Sequence, residues 1–243
     1  MTVKMLKFGI LASHQWPREL PLGENIEGLV NLVQVARDLS FDSVFTINHF
    51  LGNLSSPQPI SMMATLIPHS GEMSLGTGIL LLPLFHPVHI AEEFASLDQL
   101  SGGRIILGVG VGYREEEYSA FRVNMRSRGR MLEESLKVIR ALWSGAEIDH
   151  YGEFYNVQGT ISCPPYQKNG PKIWIGAGAR KAVERAARLG DAWFTPGNTP
   201  NPEYMPKHID IYNSALKKAG KPINGIDRPL LKEVLVSEDP KQA

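Results

Sequence analysis

A single cysteine, Cys163, occurs in 243 residues, so no intramolecular disulfide can form, and no Cys/His cluster has zinc spacing. An excess of one charge is equally missing. Lys+Arg and Asp+Glu both number 25, giving a formal net charge of zero. Without a basic surplus the chain has little with which to hold a phosphate backbone, so nucleic acid is not an expected partner. Long apolar runs are absent too. The longest, Ile79 to Phe85, contains Pro83 and falls far short of the roughly 20 residues that cross a bilayer. The start, MTVKMLKFGILASH, lacks the apolar core and cleavage site of a signal peptide. No segment is of low complexity. These absences leave a globular protein, expected to be soluble and cytoplasmic, with no membrane partner.

What is present is an alternation. Short apolar runs begin near residues 6, 43, 74, 105, 172, 192 and 230 and read as buried strands. Between them lie patterns with apolar residues three and four apart, which predict helices over Asn25–Leu39, Ile60–His69, Pro87–Leu100, Arg128–Trp143, Arg180–Leu189 and Tyr204–Ala219. Pro87 suits the first turn of its helix, and Gly102-Gly103 suits the end. Strands alternating with helices predict a parallel sheet with right-handed crossovers. The length suits one α/β barrel domain covering residues 1–243, although an eighth strand is missing from these residues. Ser144 to Pro171 shows no helical period but is rich in aromatic residues. It is expected to be an insertion packed near the barrel mouth, where it would shape the substrate pocket.

In a βα barrel the working groups stand at strand C-termini and in the loops that follow. That rule selects His14, Asn48 and His49, Thr77 to Ile79, Gly108 to Tyr113, Gly176 to Arg180 and Thr195 to Asn198. His49 could shuttle a proton near neutral pH, or be a core histidine bonded to backbone. In Gly108-Val109-Gly110-Val111-Gly112-Tyr113 the alternating glycines bare one face of the strand end. That face admits either a flat ring or a neighbouring backbone. The GxGxxG spacing of a Rossmann phosphate loop is absent. Gly176-Ala177-Gly178-Ala179-Arg180 follows a strand and opens a helix, so it is either a phosphate cradle or a tight turn. Glu115 to Glu117 read as the start of a solvated helix, and no Lys or Glu at a strand end stands out as the base of a phosphate-handling isomerase.

Three stretches carry a resemblance. HPVHIAEEFASLDQLSGGRIILGVGVGY, RGRMLEESLKVIRALWSG and KIWIGAGARKAVERAARLGDAWF, in that order, resemble the bacterial luciferase-like flavin-dependent oxidoreductases over about Leu6 to Val236. The resemblance implies a (β/α)8 TIM-barrel of the luciferase-like type, here without the eighth strand and last helices. It implies reduced FMN as cofactor, with coenzyme F420 as the alternative. It places a non-prolyl cis peptide at Gly78-Ile79 beneath the cofactor ring and puts Gly110, Val111, Gly112 and Tyr113 beside the ring and its side chain. Gly176, Gly178, Ala179 and Arg180 fall at the phosphate loop.

His49 matches the proton-handling His of the F420-dependent members, and Asn48 stands where those members have Asp and where luciferase has its catalytic His. Both are candidate catalytic residues, with His49 the stronger. Tyr113 replaces a Glu of the F420-dependent sugar-phosphate dehydrogenases, which disfavours that substrate class. The expected activity is a flavin-dependent monooxygenase acting on a small organic molecule. The alternatives are F420-dependent hydride transfer and a non-catalytic flavin-binding homologue. A flavin reductase supplying reduced FMN is an implied partner. So is a second copy of the chain, a homodimer through Ile60–His69 and Pro87–Leu100. No metal is implied.

Overall fold

Within each of two compact units, short runs of β-branched, aromatic and aliphatic residues build parallel strands whose spatial order follows their order in the chain. The computed structural model describes residues 6–197, 201, 203–234 and 236–239. Two compact units divide it, Met1–Ile173 and Trp174–Ala243.

The first unit runs β1 (Gly9–Ala12), β2 (Trp16–Pro17), α1 (Leu22–Asp38), β3 (Ser43–Thr46), β4 (Leu54–Ser55) and α2 (Pro59–Leu66), which a 3₁₀ turn extends over Ile67–His69. It continues with β5 (Ser74–Thr77), β6 (Leu80–Leu81), α3 (Pro87–Ser101), β7 (Ile105–Gly110), α4 (Glu115–Ala120), α5 (Arg128–Trp143), β8 (Ile148–Tyr151) and β9 (Asn156–Gly159). Strands β1, β3, β5 and β7 pair in parallel, with Leu11 opposite Phe45, Phe45 opposite Gly76, and Gly76 opposite Ile106. A short antiparallel bridge of β2 with β4 ties the loop after β1 to the loop after β3. In the second unit β10 (Lys172–Gly176, its first two residues belonging to the first unit), β11 (Ala192–Pro196) and β12 (Leu230–Leu231) pair in parallel, and α6 (Arg180–Leu189) packs on α7 (Tyr204–Lys218). The strand expected over Leu230–Val236 is short here, and Leu235 lies outside the described residues, as does Asn198.

The helices form where the pattern places them. On α5 the residues Leu132, Leu136, Ile139, Leu142 and Trp143 are all buried. Each aliphatic side chain among them contributes about 1.5–3 kcal/mol by leaving water. Trp143 also donates its indole N–H to the Ala91 carbonyl on α3 at 3.0 Å. Helix α3 begins at Pro87, where no amide hydrogen is missed, and ends in Gly102 at φ 67°. There the Gly103 amide caps the Asp98 carbonyl at 2.9 Å, a left-handed C-terminal turn that suits glycine.

Between β5 and β6 the chain holds one residue more than its partner. Gly76 pairs with Ile106, whereas pairing resumes at Leu80 with Val109 and Leu81 with Gly110. Four steps along one strand therefore match three along the other, and a bulge at the Gly78-Ile79 pair absorbs the difference. The Gly78-Ile79 peptide is cis, as the resemblance implied. Where the ladder is interrupted the Thr77 side chain substitutes for it: its hydroxyl donates to the Gly108 carbonyl at 2.6 Å and accepts from the Gly108 amide at 3.1 Å. A Cβ on Gly108 would stand 1.8 Å from the Thr77 carbonyl oxygen. Of the two readings left open for Gly108, close backbone packing is the one realised.

Helices α3 and α5 hold the segment after α5 through carboxylates that cap its amides. Glu134 accepts from Glu153, Phe154 and Tyr155, and Glu92 from Ser162 and Cys163. Asp98 accepts from both the backbone and side chain of Gln167, whose amide also reaches the Ile105 carbonyl at the N-terminal edge of β7. The hairpin tip reaches the start of α3, where Tyr155 meets the His86 ring edge-on at 5.3 Å. The segment is thus a strap along two helices, and its regular part is the β8–β9 hairpin.

No helix among the described residues is long and apolar enough to cross a membrane.

Candidate active site

The strand ends of the first unit converge on the segment Thr46-Ile47-Asn48-His49-Phe50 that leaves β3. Asn48 is 2% exposed, and both ends of its amide are engaged. Its Nδ2 donates to Gln58 at 3.0 Å and its Oδ1 accepts from the Leu81 amide at 3.1 Å. The Gly78 amide donates to the Thr46 carbonyl at 2.7 Å. Together these bonds fix the exit of β3 against the bulge and against the start of α2, where Gln58 in turn donates to the His49 carbonyl at 3.2 Å.

His49 keeps about a fifth of its side chain exposed, and its Nδ1 lies 3.0 Å from Glu117 Oε1. The same carboxylate oxygen accepts from the Phe50 amide at 2.8 Å. Glu117 is 1% exposed. A carboxylate this deep is costly unless hydrogen-bonded, and these two donors supply the compensation. An ionised carboxylate only accepts, so it pairs with the tautomer that carries a hydrogen on Nδ1, which leaves Nε2 as the ring nitrogen free for another partner. Among the described residues Nε2 has no hydrogen-bond partner. The other carboxylate oxygen, Oε2, is buried without a partner among them as well.

Glu117 is the residue at this candidate site that sequence reasoning missed. The three carboxylates at the start of α4 were expected to be solvated. Glu115 and Glu116 are, and Glu117 is not. The neighbouring Tyr118 explains the difference. It is buried, its hydroxyl donates to the Val111 carbonyl, and it packs with Leu81 and Leu84. With Tyr118 locked onto the sheet, the helix turns the side chain at 117 inward. Burial, with the Glu117 charge adding and Arg128 opposing, pushes the Tyr118 hydroxyl up to about 12, so it is a fixed donor at neutral pH.

The other first-unit candidates gather at the same place. Leu81 pairs with Gly110, and Tyr118 holds Val111. Gly112 turns the chain at φ 69°, a left-handed conformation that glycine adopts freely, with Leu81 against it. Tyr113 is 70% exposed and meets His49 edge-on at 6.1 Å.

His14, by contrast, is fully buried, and its Nε2 accepts from the Ile47 amide at 3.1 Å. Burial lowers its pKa below 6.5, partly opposed by the backbone bonds at His14 and Ile47. It is the backbone-bonded core histidine. The unfolded chain therefore takes up a proton here that the folded chain refuses. Stability should fall as pH drops through the interval below about 6.5, by at most ~1.4 kcal/mol per pH unit from this one group. Denaturant midpoints at pH 7 and pH 5 test this: the drop should be smaller in His14→Gln, which keeps an acceptor for Ile47. An identical drop in the variant would remove His14 from the account.

In the second unit, β10 ends at Gly176 and α6 starts at Arg180. Ala179 occupies the N-cap in an extended conformation and offers no side chain to the first amides of the helix. The carbonyls of the loop are engaged from behind: Ala177 accepts from the Trp193 indole at 2.8 Å and Gly178 from the Tyr204 hydroxyl at 2.7 Å. The amide side of the turn, with the positive end of the helix, is suited to an anion. Arg180 pairs with Glu184 one turn on, at 3.1 Å.

A cavity of about 850 Å³ opens beside His49 in the first unit. Its walls come from the loops after β1 and β3 and from α4, and no residue of the 144–171 strap lines it. No group of three or more His, Cys, Asp or Glu that could hold a metal occurs among the described residues.

Comparison with known proteins adds a family. Residues 5–243 match the model of the luciferase-like monooxygenases. The oxygenase component of a flavin-dependent trigonelline monooxygenase from Acinetobacter baylyi is 30% identical over 88% of this chain and 60% of its own length. An F420-dependent glucose-6-phosphate dehydrogenase from Gordonia bronchialis is 30% identical over 97% of this chain and 69% of its own. The chain thus spans about two thirds of the length of these curated relatives. Among solved structures, a monooxygenase from Streptomyces bottropensis superposes with a TM-score of 0.88 at 26% identity, covering 98% of this chain and 74% of that one.

Proposed function

As the chain belongs to the luciferase-like monooxygenase family, we propose that it is a flavin-dependent oxidoreductase, a monooxygenase that uses reduced FMN on a small organic substrate. The observation that carries this reading is the His49–Glu117 pair beside the Gly78-Ile79 bulge, where the resemblance puts a proton-handling group next to a ring. The residues of the first unit fit the ring of such a group: Ile79, Gly110 and Gly112 offer backbone and apolar side chain to it. In the second unit, taken by itself, the uncapped start of α6 with Gly176, Gly178, Ala179 and Arg180 offers amides suited to an anion. When bound, reduced flavin supplies the electrons for oxygen activation or hydride transfer.

The protein's own share is orientation and proton control. Glu117 fixes the Nδ1–H tautomer of His49, and Nε2 takes or returns a proton at the substrate or cofactor. Asn48 acts by holding β3, α2 and β6 in register, so its role is positioning. Tyr113, on the exposed side of His49, borders the ring site. Hydride transfer with F420 is the second reading, favoured by the Asn48-His49-Phe50 sequence. A flavin reductase as partner, and a homodimer through α2 and α3, belong to the same proposal.

Turnover of reduced FMN and of reduced F420 with candidate substrates, each with and without oxygen, separates the readings. Oxygen-dependent product from reduced FMN supports the monooxygenase. Product that needs F420 and no oxygen supports the second reading. Cofactor binding with no turnover at all would leave only a binding homologue.

A further inference from the structure

The cavity beside His49 contains two polar groups that the fold itself does not satisfy. Glu117 and Ser56 are among the residues that line the cavity, and their Oε2 and Oγ atoms are buried with no hydrogen-bond partner among the described residues. Buried polar atoms are almost always paired in folded proteins, so a carboxylate oxygen that can only accept and a hydroxyl that can accept or donate, both unpaired on lining residues, mark where a polar partner with a donor is expected. The opposite requirement comes from Arg18 and Arg114, which line the same cavity. Both lie near Gly52: Arg18 Nη2 donates to its carbonyl at 2.6 Å, and Arg114 Nη1 would stand 3.9 Å from a Cβ placed on it. Each guanidinium keeps further N–H donors, and a fork of such donors matches a planar carboxylate. Phe50 and Phe121, whose rings lie 4.6 Å apart, add apolar surface to the lining.

We propose that this cavity takes a small carboxylate that also carries an O–H or N–H donor, with the carboxylate at Arg18 and Arg114 and the donor at Glu117 Oε2 and Ser56. This names the substrate class for the oxidoreductase reading above and rests on it. Charge decides between carboxylate and phosphate. Arg18 and Arg114 are balanced by Glu116 and Glu117 in the lining, so the cavity is neutral overall. A monoanion adds one uncompensated charge there and a phosphate dianion two, which costs more in a partly enclosed site. The placement also brings the donor-bearing end of the ligand to the carboxylate that orients His49, so the proton on that donor lies beside the proton-handling group.

Calorimetric titration of the whole chain with four probes tests this: 4-hydroxybenzoate, benzoate, phenol and phenyl phosphate. The expected order of affinity is 4-hydroxybenzoate, then benzoate, with phenol and phenyl phosphate at least ~10-fold weaker than 4-hydroxybenzoate, as loss of a charge-assisted contact implies. Arg18→Gln and Arg114→Gln should each weaken both carboxylates about 10-fold and leave phenol unchanged. Ser56→Ala should narrow the gap between 4-hydroxybenzoate and benzoate. Phenol matching 4-hydroxybenzoate, phenyl phosphate exceeding benzoate, an Arg18→Gln/Arg114→Gln double variant that binds benzoate normally, or no binding of either carboxylate overturns the proposal. FMN and F420 affinities measured on the same samples keep the two readings apart. Cofactor binding without carboxylate binding sinks this inference alone, whereas carboxylate binding without any cofactor binding sinks the oxidoreductase reading.

Discussion

Replacing His49 by Ala should lower turnover by about 10²–10⁴-fold, the range for removal of a positioned acid–base group, while cofactor affinity and melting temperature stay close to those of the parent. The reasons are local. The imidazole is partly exposed and contributes one hydrogen bond, to Glu117 Oε1. That oxygen keeps the Phe50 amide at 2.8 Å when the ring is removed. The segment around it is fixed by Asn48 and Gln58 and not by the ring. His49→Gln should recover little activity, since an amide titrates nowhere near neutral pH. Glu117→Gln serves as the companion variant. It keeps an acceptor for Phe50 and His49 but changes the charge beside the ring, so the pH profile of kcat should move while the fold is retained. Unchanged turnover in His49→Ala would reject its role. Loss of the fold would instead show that the pair is structural.

The largest expected effect on stability lies one strand away. Gly108→Ala puts a Cβ 1.8 Å from the Thr77 carbonyl oxygen and 3.0 Å from its carbon. Both obstacles are backbone, held by the two hydrogen bonds between the Thr77 hydroxyl and Gly108. No side chain can swing away, so β5 and β7 must separate where the bulge begins. Overpacking costs about 1–3 kcal/mol and occasionally more, and two backbone obstacles put this substitution at about 3 kcal/mol or above, against a typical total stability of about 5–15 kcal/mol. The melting temperature should fall by roughly 10 °C or more at this chain length, and cofactor affinity should fall with it. Gly28→Ala is the control. It lies inside α1 with nothing within 4 Å of its Cβ, and the better helix former should stabilise by up to about 1 kcal/mol. A native melting temperature for Gly108→Ala would mean that the β5–β7 contact is looser than the geometry requires.

The elements were legible where burial is periodic. Arg128–Trp143 and Arg180–Leu189 are helices over the same residues the pattern marks, because spacing by three and four is enough to define the face that packs. The outer bonds were not legible. Nothing in the pattern singles out Glu92, Asp98 or Glu134, yet each caps amides of the strap at 144–171. A carboxylate on the surface of a helix looks the same in sequence whether water or a backbone N–H faces it. The same ambiguity hid Glu117, whose inward turn is set by Tyr118 and by the distant loop carrying His49. A weak signal existed: of three successive carboxylates, only the third adjoins an aromatic residue on the apolar side of the helix. His49 itself could be named from the strand end it follows, because a βα arrangement fixes which end carries chemistry. The register shift at Gly78-Ile79 could be named only from the resemblance, since nothing in GTGILLLP announces an extra residue.

The central claim, that the strand ends around His49 and the Gly78-Ile79 bulge serve a flavin-type cofactor, is met most directly by equilibrium dialysis. The folded chain would be dialysed against FMN and coenzyme F420 together, and the retained compound identified by absorbance and mass. The account predicts one cofactor retained near one per chain, with its ring absorbance shifted from that of the free form. Retention of neither by folded protein would contradict it.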